Sequence, residues 1–239
     1  MSTPLILHIE TATDICSVAL SEGNTCLTWV DSGAERSHAS LLNPFIRQVL
    51  SKADRRINQL EAVAVSKGPG SYTGLRIGVS TAKGIAYGLN LPLLSAGTLE
   101  SLSQAALAHP KVDELISMSK RPVLLCPMLD ARRMEAYTEF RTPNMEVLRE
   151  VSADIIDENS YRDLLEEHEI CFFGNGSDKC REALQHPHAH FIPAIEPSAQ
   201  SMIEPVLQNF KAGNFENVAY FEPFYLKDFV ATTPRKKGL

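Results

Sequence analysis

Hydrophobic and polar positions alternate in short bursts at the start of the chain and then switch to a helical period. Residues 4–10 (PLILHIE), 15–20 (ICSVAL) and 25–30 (TCLTWV) read as three strands of a β-meander, the first two joined by the polar turn Thr11-Ala12-Thr13-Asp14. Leu42, Phe45, Ile46, Val49, Leu50 and Ala53 then recur at spacings of three and four, which predicts an amphipathic helix ending near Asp54. Pro44 reads as a kink in a helix that starts near Ser37, rather than as a first helical position behind an Asn43 cap. A short buried strand at 61–66 runs into Lys67-Gly68-Pro69-Gly70-Ser71, where proline and glycine break both periodicities, and a helix follows over 72–89. A strand at 92–95, a helix at 99–108 crossing outward and a linker over 110–122 complete this half. Strands interleaved with helices imply an α/β layered lobe.

The second half repeats the outline with fewer elements. Residues 123–127, 134–140 and 145–151 predict another meander, with Asp130-Ala131-Arg132-Arg133 in its first turn. A helix at 161–167, a strand at 170–173, the turn Gly174-Asn175-Gly176-Ser177 and a helix to Leu184 follow. Residues 199–212 read as helix, and 220–229 as an aromatic tail docking back on the body.

Composition narrows the function classes. A chain of 239 residues, 44% hydrophobic and 22% charged, suffices for two lobes with working cores. The run Leu5-Ile6-Leu7, interrupted by His8 and Glu10, is too short for a signal peptide or a membrane span, so a cytoplasmic chain that enters no membrane is expected. Five scattered cysteines without a C-x-x-C pair fit reduced thiols. A net charge of -6 argues against gripping nucleic acid unaided, so any RNA contact would come through a partner.

The helix over 72–89 is unusual in carrying Gly74, Gly78, Gly84 and Gly88, each costing a helix interior roughly 1 kcal/mol relative to alanine. Gly74, Gly78, Thr81, Ile85 and Gly88 share a face, which implies close approach of another backbone. A third stripe, Tyr72, Arg76, Val79, Ser80, Lys83 and Tyr87, holds residue types enriched at protein interfaces, although a solvated face would read similarly.

Other candidates are weaker. Glu10 and Thr11, at the tip of the first hairpin, could meet phosphate or magnesium, or form an ordinary turn. Gly174 and Gly176 join a strand to a helix and could receive a nucleotide, though a lone G-x-G has little specificity. Residues 66–72 match neither a Walker A loop nor a nucleophile elbow. His186, His188 and His190 read as incidental loop residues, so no metal site is expected, and Arg235-Lys236-Lys237 as a solvated basic tail.

Residues 66–86 (SKGPGSYTGLRIGVSTAKGIA), with Ile9-Glu10-Thr11-Ala12, resemble the TsaB (YeaZ) family of tRNA threonylcarbamoyladenosine biosynthesis; Asp130-Ala131-Arg132-Arg133 and Glu222-Pro223-Phe224-Tyr225-Leu226 look like later landmarks of it. The resemblance implies an α/β fold of the actin-like ATPase superfamily, with RNase H-like lobes of mixed sheet at 1–108 and 109–212, the second reduced, and a tail at 213–239. It also implies a non-catalytic subunit that binds the catalytic paralogue TsaD, with TsaE as a further partner and a homodimer when alone. In TsaD-like sequences an H-x-x-x-H metal pair follows; the matching positions here are Thr98 and Leu102, which cannot replace imidazole. The implied partner interface lies on the two helices, at Leu42, Ile46, Tyr72, Leu75, Arg76, Val79, Ser80, Lys83 and Tyr87. No cofactor is expected to be required, although ATP or ADP could sit at the partner interface. The alternative is an ATP-dependent kinase or hydrolase using Glu10 for magnesium and the Gly174 turn for adenine; Arg132 and Arg133, standing where a glycine-rich phosphate loop would be expected, argue against it.

Overall fold

The computed structural model describes residues 3–33 and 37–227. Strands β1 (Leu5–Glu10), β2 (Ser17–Glu22) and β3 (Thr25–Asp31) form the expected antiparallel meander. After α1 (His38–Lys52), β4 (Ala62–Ser66) adds in parallel to β1; after α2 (Tyr72–Leu89), β5 (Leu93–Ala96) adds in parallel to β4. The sheet order is β3-β2-β1-β4-β5. β1 is buried on both faces: Leu5, Leu7 and Ile9 pack with α1 and α2, while Ile6 packs in a separate cluster behind the sheet. That is why LILHIE reads as a near-continuous apolar run rather than a clean alternation. α1 continues through Pro44.

The second lobe repeats the pattern strand for strand. β6 (Val123–Asp130), β7 (Glu135–Arg141) and β8 (Val147–Ile155) form a meander, and β9 (Glu169–Phe173) and β10 (Ala189–Phe191) extend it in parallel on the far side of β6. The order β10-β9-β6-β7-β8 mirrors the first sheet, so the lobes are two RNase H-like units. α5 (Arg162–Glu167) occupies the place of α1. In place of α2 there is only a 3-10 turn at Asp178–Cys180, where the sequence predicted a helix to Leu184. The stretch from β9 to β10 is shorter than that from β4 to β5 and is occupied by successive turns.

One further expectation is corrected. The linker at 110–122 contains α4 (Pro110–Met118): Pro110 sits at the start, where its missing N–H costs nothing, and Val112 is buried in the second core. The boundaries at 108 and 212 divide the sequence but not the cores. α3 (Thr98–Leu107) inserts Leu99, Leu102 and Ala106 into the second core beside Leu125 and Phe173. α6 (Ile203–Ala212) and the turn before it return Ala199, Met202 and Val206 to the first sheet, against Ile6, Ala62 and Leu94. Each lobe thus contributes a helix to the other. Among the described residues no helix is long and apolar enough to cross a membrane.

Candidate partner surface and interlobe cleft

The glycine-rich turn after β4 delivers α2 hard against the first hairpin. Ser71 caps α2 by accepting from the Gly74 N–H at 3.3 Å, its own N–H donates to Ala12 O at 2.6 Å, and Thr11 Oγ1 donates to Gly74 O at 2.8 Å. A Cβ on Gly70, Gly74 or Gly78 would stand 2.2 Å from Ala12 O, 2.1 Å from Thr11 O and 2.2 Å from Thr11 Oγ1 respectively. Close approach of this chain's own turn therefore accounts for both helical glycines, the Thr11 backbone for Gly74 and the Thr11 side chain for Gly78. Gly84 and Gly88 face open space.

The nine residues expected at the partner interface separate into two groups. Leu42, Ile46, Leu75 and Val79 are at most 4% exposed, so they cannot present side chains to a partner in this conformation. A period of three to four cannot tell which of two adjacent stripes faces inward. Arg76, Ser80 and Tyr87 are exposed, Tyr72 and Lys83 half-buried. The Arg76 guanidinium lies 4.4 Å from the Tyr72 ring centroid, and Tyr72 packs 4.7 Å from Tyr225. Lys83 Nζ donates to Ala219 O at 3.2 Å and Phe221 O at 2.9 Å. The aromatic tail thus docks across α2 as expected, through residue 227; residues 228 and 229 and the basic cluster at Arg235 lie outside the described residues.

Between the lobes lies a cleft of about 610 Å³, walled by Ala12, Thr13 and Asp14, the start of α2, the 130–133 turn, Asn175 and the tail residues 224–227. None of the four residues proposed for nucleotide lines it. Glu10 is fully buried behind Ala12: its Oε1 accepts from Ala12 N at 2.6 Å and Ser66 Oγ at 2.8 Å, and burial pushes its carboxyl up to about 7. Thr11 is equally buried. A Cβ on Gly174 or Gly176 would stand 2.5 Å from Met128 O or 2.7 Å from Leu129 C, so these glycines serve packing against the end of β6. Folding thus buries the side chains of Glu10 and Thr11 and packs both glycines against the end of β6, so none of the four reaches the cleft. The cleft's charged lining comes from residues that sequence reading placed in turns. Burial of Asp130 is outweighed by the Lys179 ammonium, which holds its carboxyl below the usual range. Arg132 and Arg133 adopt positive φ in the same turn and face the cleft.

Thr98 and Leu102 are both buried on α3, and Leu102 packs where Gly174 would carry a side chain. Neither histidine of the 188–190 pair is incidental: His188 Nδ1 and His190 Nε2 lie 2.9 and 2.6 Å from the two oxygens of Glu169, pinning the edge strand β10 to β9. Partial burial opposes, but does not offset, the lowering of the Glu169 carboxyl by these contacts. Sequence reading also missed a buried pair on β7, Arg141 gripping Glu139 in a fork at 2.7 and 2.9 Å, whose only sequence signal is an i, i+2 spacing on one strand face. Burial keeps the Glu139 carboxyl above its ordinary value despite the guanidinium.

A family model described as TsaD, tRNA N6-adenosine threonylcarbamoyltransferase, matches residues 31–234. A tRNA threonylcarbamoyladenosine biosynthesis protein TsaB from Haemophilus influenzae is 30% identical over 172 residues, covering 72% of this chain and 65% of the relative. The protein of the same name from Escherichia coli is 37% identical over 101 residues, 42% of this chain and 43% of the relative. The matched stretches thus span about two-fifths to two-thirds of these relatives. A crystal structure from Pseudomonas aeruginosa, described as an uncharacterized protein with similarity to peptidase YEAZ, superposes with a TM-score of 0.77 at 22% identity, covering 94% of this chain and all of that one, and so shares the fold. The paired RNase H-like lobes place the chain in the actin-like ATPase superfamily, and it belongs to the TsaD threonylcarbamoyltransferase family, in its TsaB (YeaZ) branch.

Proposed function

We propose that this chain is a non-catalytic partner subunit that binds and activates TsaD, the threonylcarbamoyltransferase that modifies adenosine 37 of tRNAs reading ANN codons. The observation that carries the reading is the state of α3: the positions matching the metal pair of TsaD-like sequences are Thr98 and Leu102, sealed in the core and chemically unable to ligate. The exposed half of the α2 stripe supports the docking role, since Arg76, Ser80 and Tyr87 project from a helix whose other faces are already occupied. TsaD meets this face and the exposed side of α1; a second copy takes the same place when the chain is alone, because a two-fold contact uses one patch twice. TsaE joins the pair in the cytoplasm, and tRNA is reached through the partners. No cofactor is needed by this chain by itself; ATP or ADP is taken up at the contact with the partner.

The test is tRNA modification in a reconstituted mixture of TsaC, TsaD and TsaE with threonine, bicarbonate and ATP, with and without this chain. Wild type is expected to restore the modified nucleoside. Arg76→Glu with Tyr87→Ala, both on the surface, is expected to fail while melting like wild type. If the chain is dispensable, or hydrolyses ATP alone with loss of activity in Glu10→Ala, the subunit reading falls.

A further inference from the structure

The segment after α6 does more than cover α2: it is attached to both lobes. On the first lobe, Glu216 N donates to Leu93 O at 2.8 Å and its carboxylate accepts from Ser95 Oγ at 2.5 Å, so the segment begins as an extension of the β5 edge. It crosses α2 under the Lys83 ammonium and reaches the glycine-rich turn, where Phe224 N donates to Lys67 O at 2.6 Å. There Phe224 O sits 2.7 Å from the place a Gly68 side chain would occupy, and Gly68 has a φ of +108°, so only glycine admits the crossing. Tyr225 then packs against Tyr72 with the rings tilted by 36°. Finally Lys227 pairs with Glu135 and lies 5.8 Å from the Tyr137 ring, both on β7 of the second lobe. Phe224 also borders two cavities: the interlobe cleft and a second one of about 430 Å³ on the other side of the Gly68-Pro69 turn, over Glu139 and Arg141.

We propose that residues 213–227 form a clasp that holds the two lobes at a set opening, with the Lys227–Glu135 pair as its latch and Phe224 as the partition between the cleft and the second cavity. The α3 and α6 crossings tie the lobes through their backs; the clasp ties them across the open mouth. Lys227 and Glu135 are 36% and 24% exposed, so the latch is a partly screened ion pair of the strength that releases without unfolding the chain. The clasp is a property of this chain alone and does not depend on the partner role proposed above.

Hydrogen exchange read by mass spectrometry on the full chain at low salt tests this, comparing wild type with Lys227→Glu, Lys227→Arg and Tyr225→Ala. Lys227→Glu turns attraction into repulsion and is expected to speed exchange roughly five-fold in three places: the clasp, the 67–71 turn and the 130–135 turn across the cleft. Lys227→Arg is expected to match wild type, and Tyr225→Ala to reproduce the effect in the 67–71 turn with the latch intact. A response confined to residues 222–227, leaving both turns at wild-type rates, would mean that the tail merely lies on the surface and would overturn the proposal. So would equal acceleration in Lys227→Glu and Lys227→Arg, since the charge would then not be the latch.

Discussion

The four glycines of α2 offer an experiment in which one substitution, made at two points of one helix, should act with opposite signs. At Gly84 an alanine methyl meets nothing within 4 Å, so only helix propensity changes, and Gly84→Ala should stabilise by about 1 kcal/mol. At Gly78 the same methyl would stand 2.2 Å from Thr11 Oγ1. Thr11 is fully buried and that hydroxyl donates to Gly74 O at 2.8 Å, so it must rotate away and leave the bond unmade. The lost bond costs about 1 kcal/mol, and overpacking against the turn adds about 1–3 kcal/mol; after the propensity gain the net is a loss of about 1–3 kcal/mol. For a chain of this size each kcal/mol moves the melting temperature by about 2–4 °C. Urea unfolding and calorimetry on Gly84→Ala, Gly78→Ala and wild type read both quantities. The reasoning is refuted if Gly78→Ala is as stable as wild type, or if Gly84→Ala is destabilised to the same degree as Gly78→Ala.

Burial raises the folded Glu10 carboxyl from 4.5 to about 7, so between these values the folded chain holds a proton that the unfolded chain has released. Glu10 by itself therefore contributes a slope of stability that falls from pH 4.5 to 7 and levels off above, by on the order of 3 kcal/mol, against an opposite slope from buried His8, whose imidazole burial lowers to about 3. Glu10→Gln, which keeps an acceptor for Ala12 N and Ser66 Oγ, should remove the Glu10 contribution; denaturation midpoints at pH 5 and pH 8 that shift in parallel for both proteins would contradict it. Arg141→Ala leaves Glu139 buried without its guanidinium and should destabilise by about 3–5 kcal/mol, measured by urea unfolding, whereas the double replacement Glu139→Met with Arg141→Met should recover most of the loss. Glu169→Ala removes the anchor of both His188 and His190 and should speed amide exchange across β10 while leaving the first lobe unchanged.

Much of this architecture is legible in the order of residues because the responsible forces are local. The alternation in 4–30 and its echo from 123 onward specify two meanders; the apolar positions from Leu42 to Ala53 specify a helix; proline and glycine at 68–70 specify a turn that no regular element could cross. Even the excess of glycine in α2 announced a close backbone approach. The sequence could not say to what, because that depends on where Thr11, 63 residues before Gly74, comes to rest. The same limit explains the misplaced site residues. Period alone puts Arg76 and Val79 in one stripe, but only the sheet beneath α2 decides that Val79 faces the core while Arg76 stays outside. Glu10, Gly174 and Gly176 carry the residue types of a phosphate site, yet packing turns them inward and gives the cleft wall to Arg132, Arg133 and the returning tail. Propensity and periodicity act over a few residues and are written in the chain itself. The exchange of α3 and α6 between lobes, the pairing of Lys227 with Glu135 and the burial of a single face are contacts between distant segments, and they exist only once the two sheets have assembled.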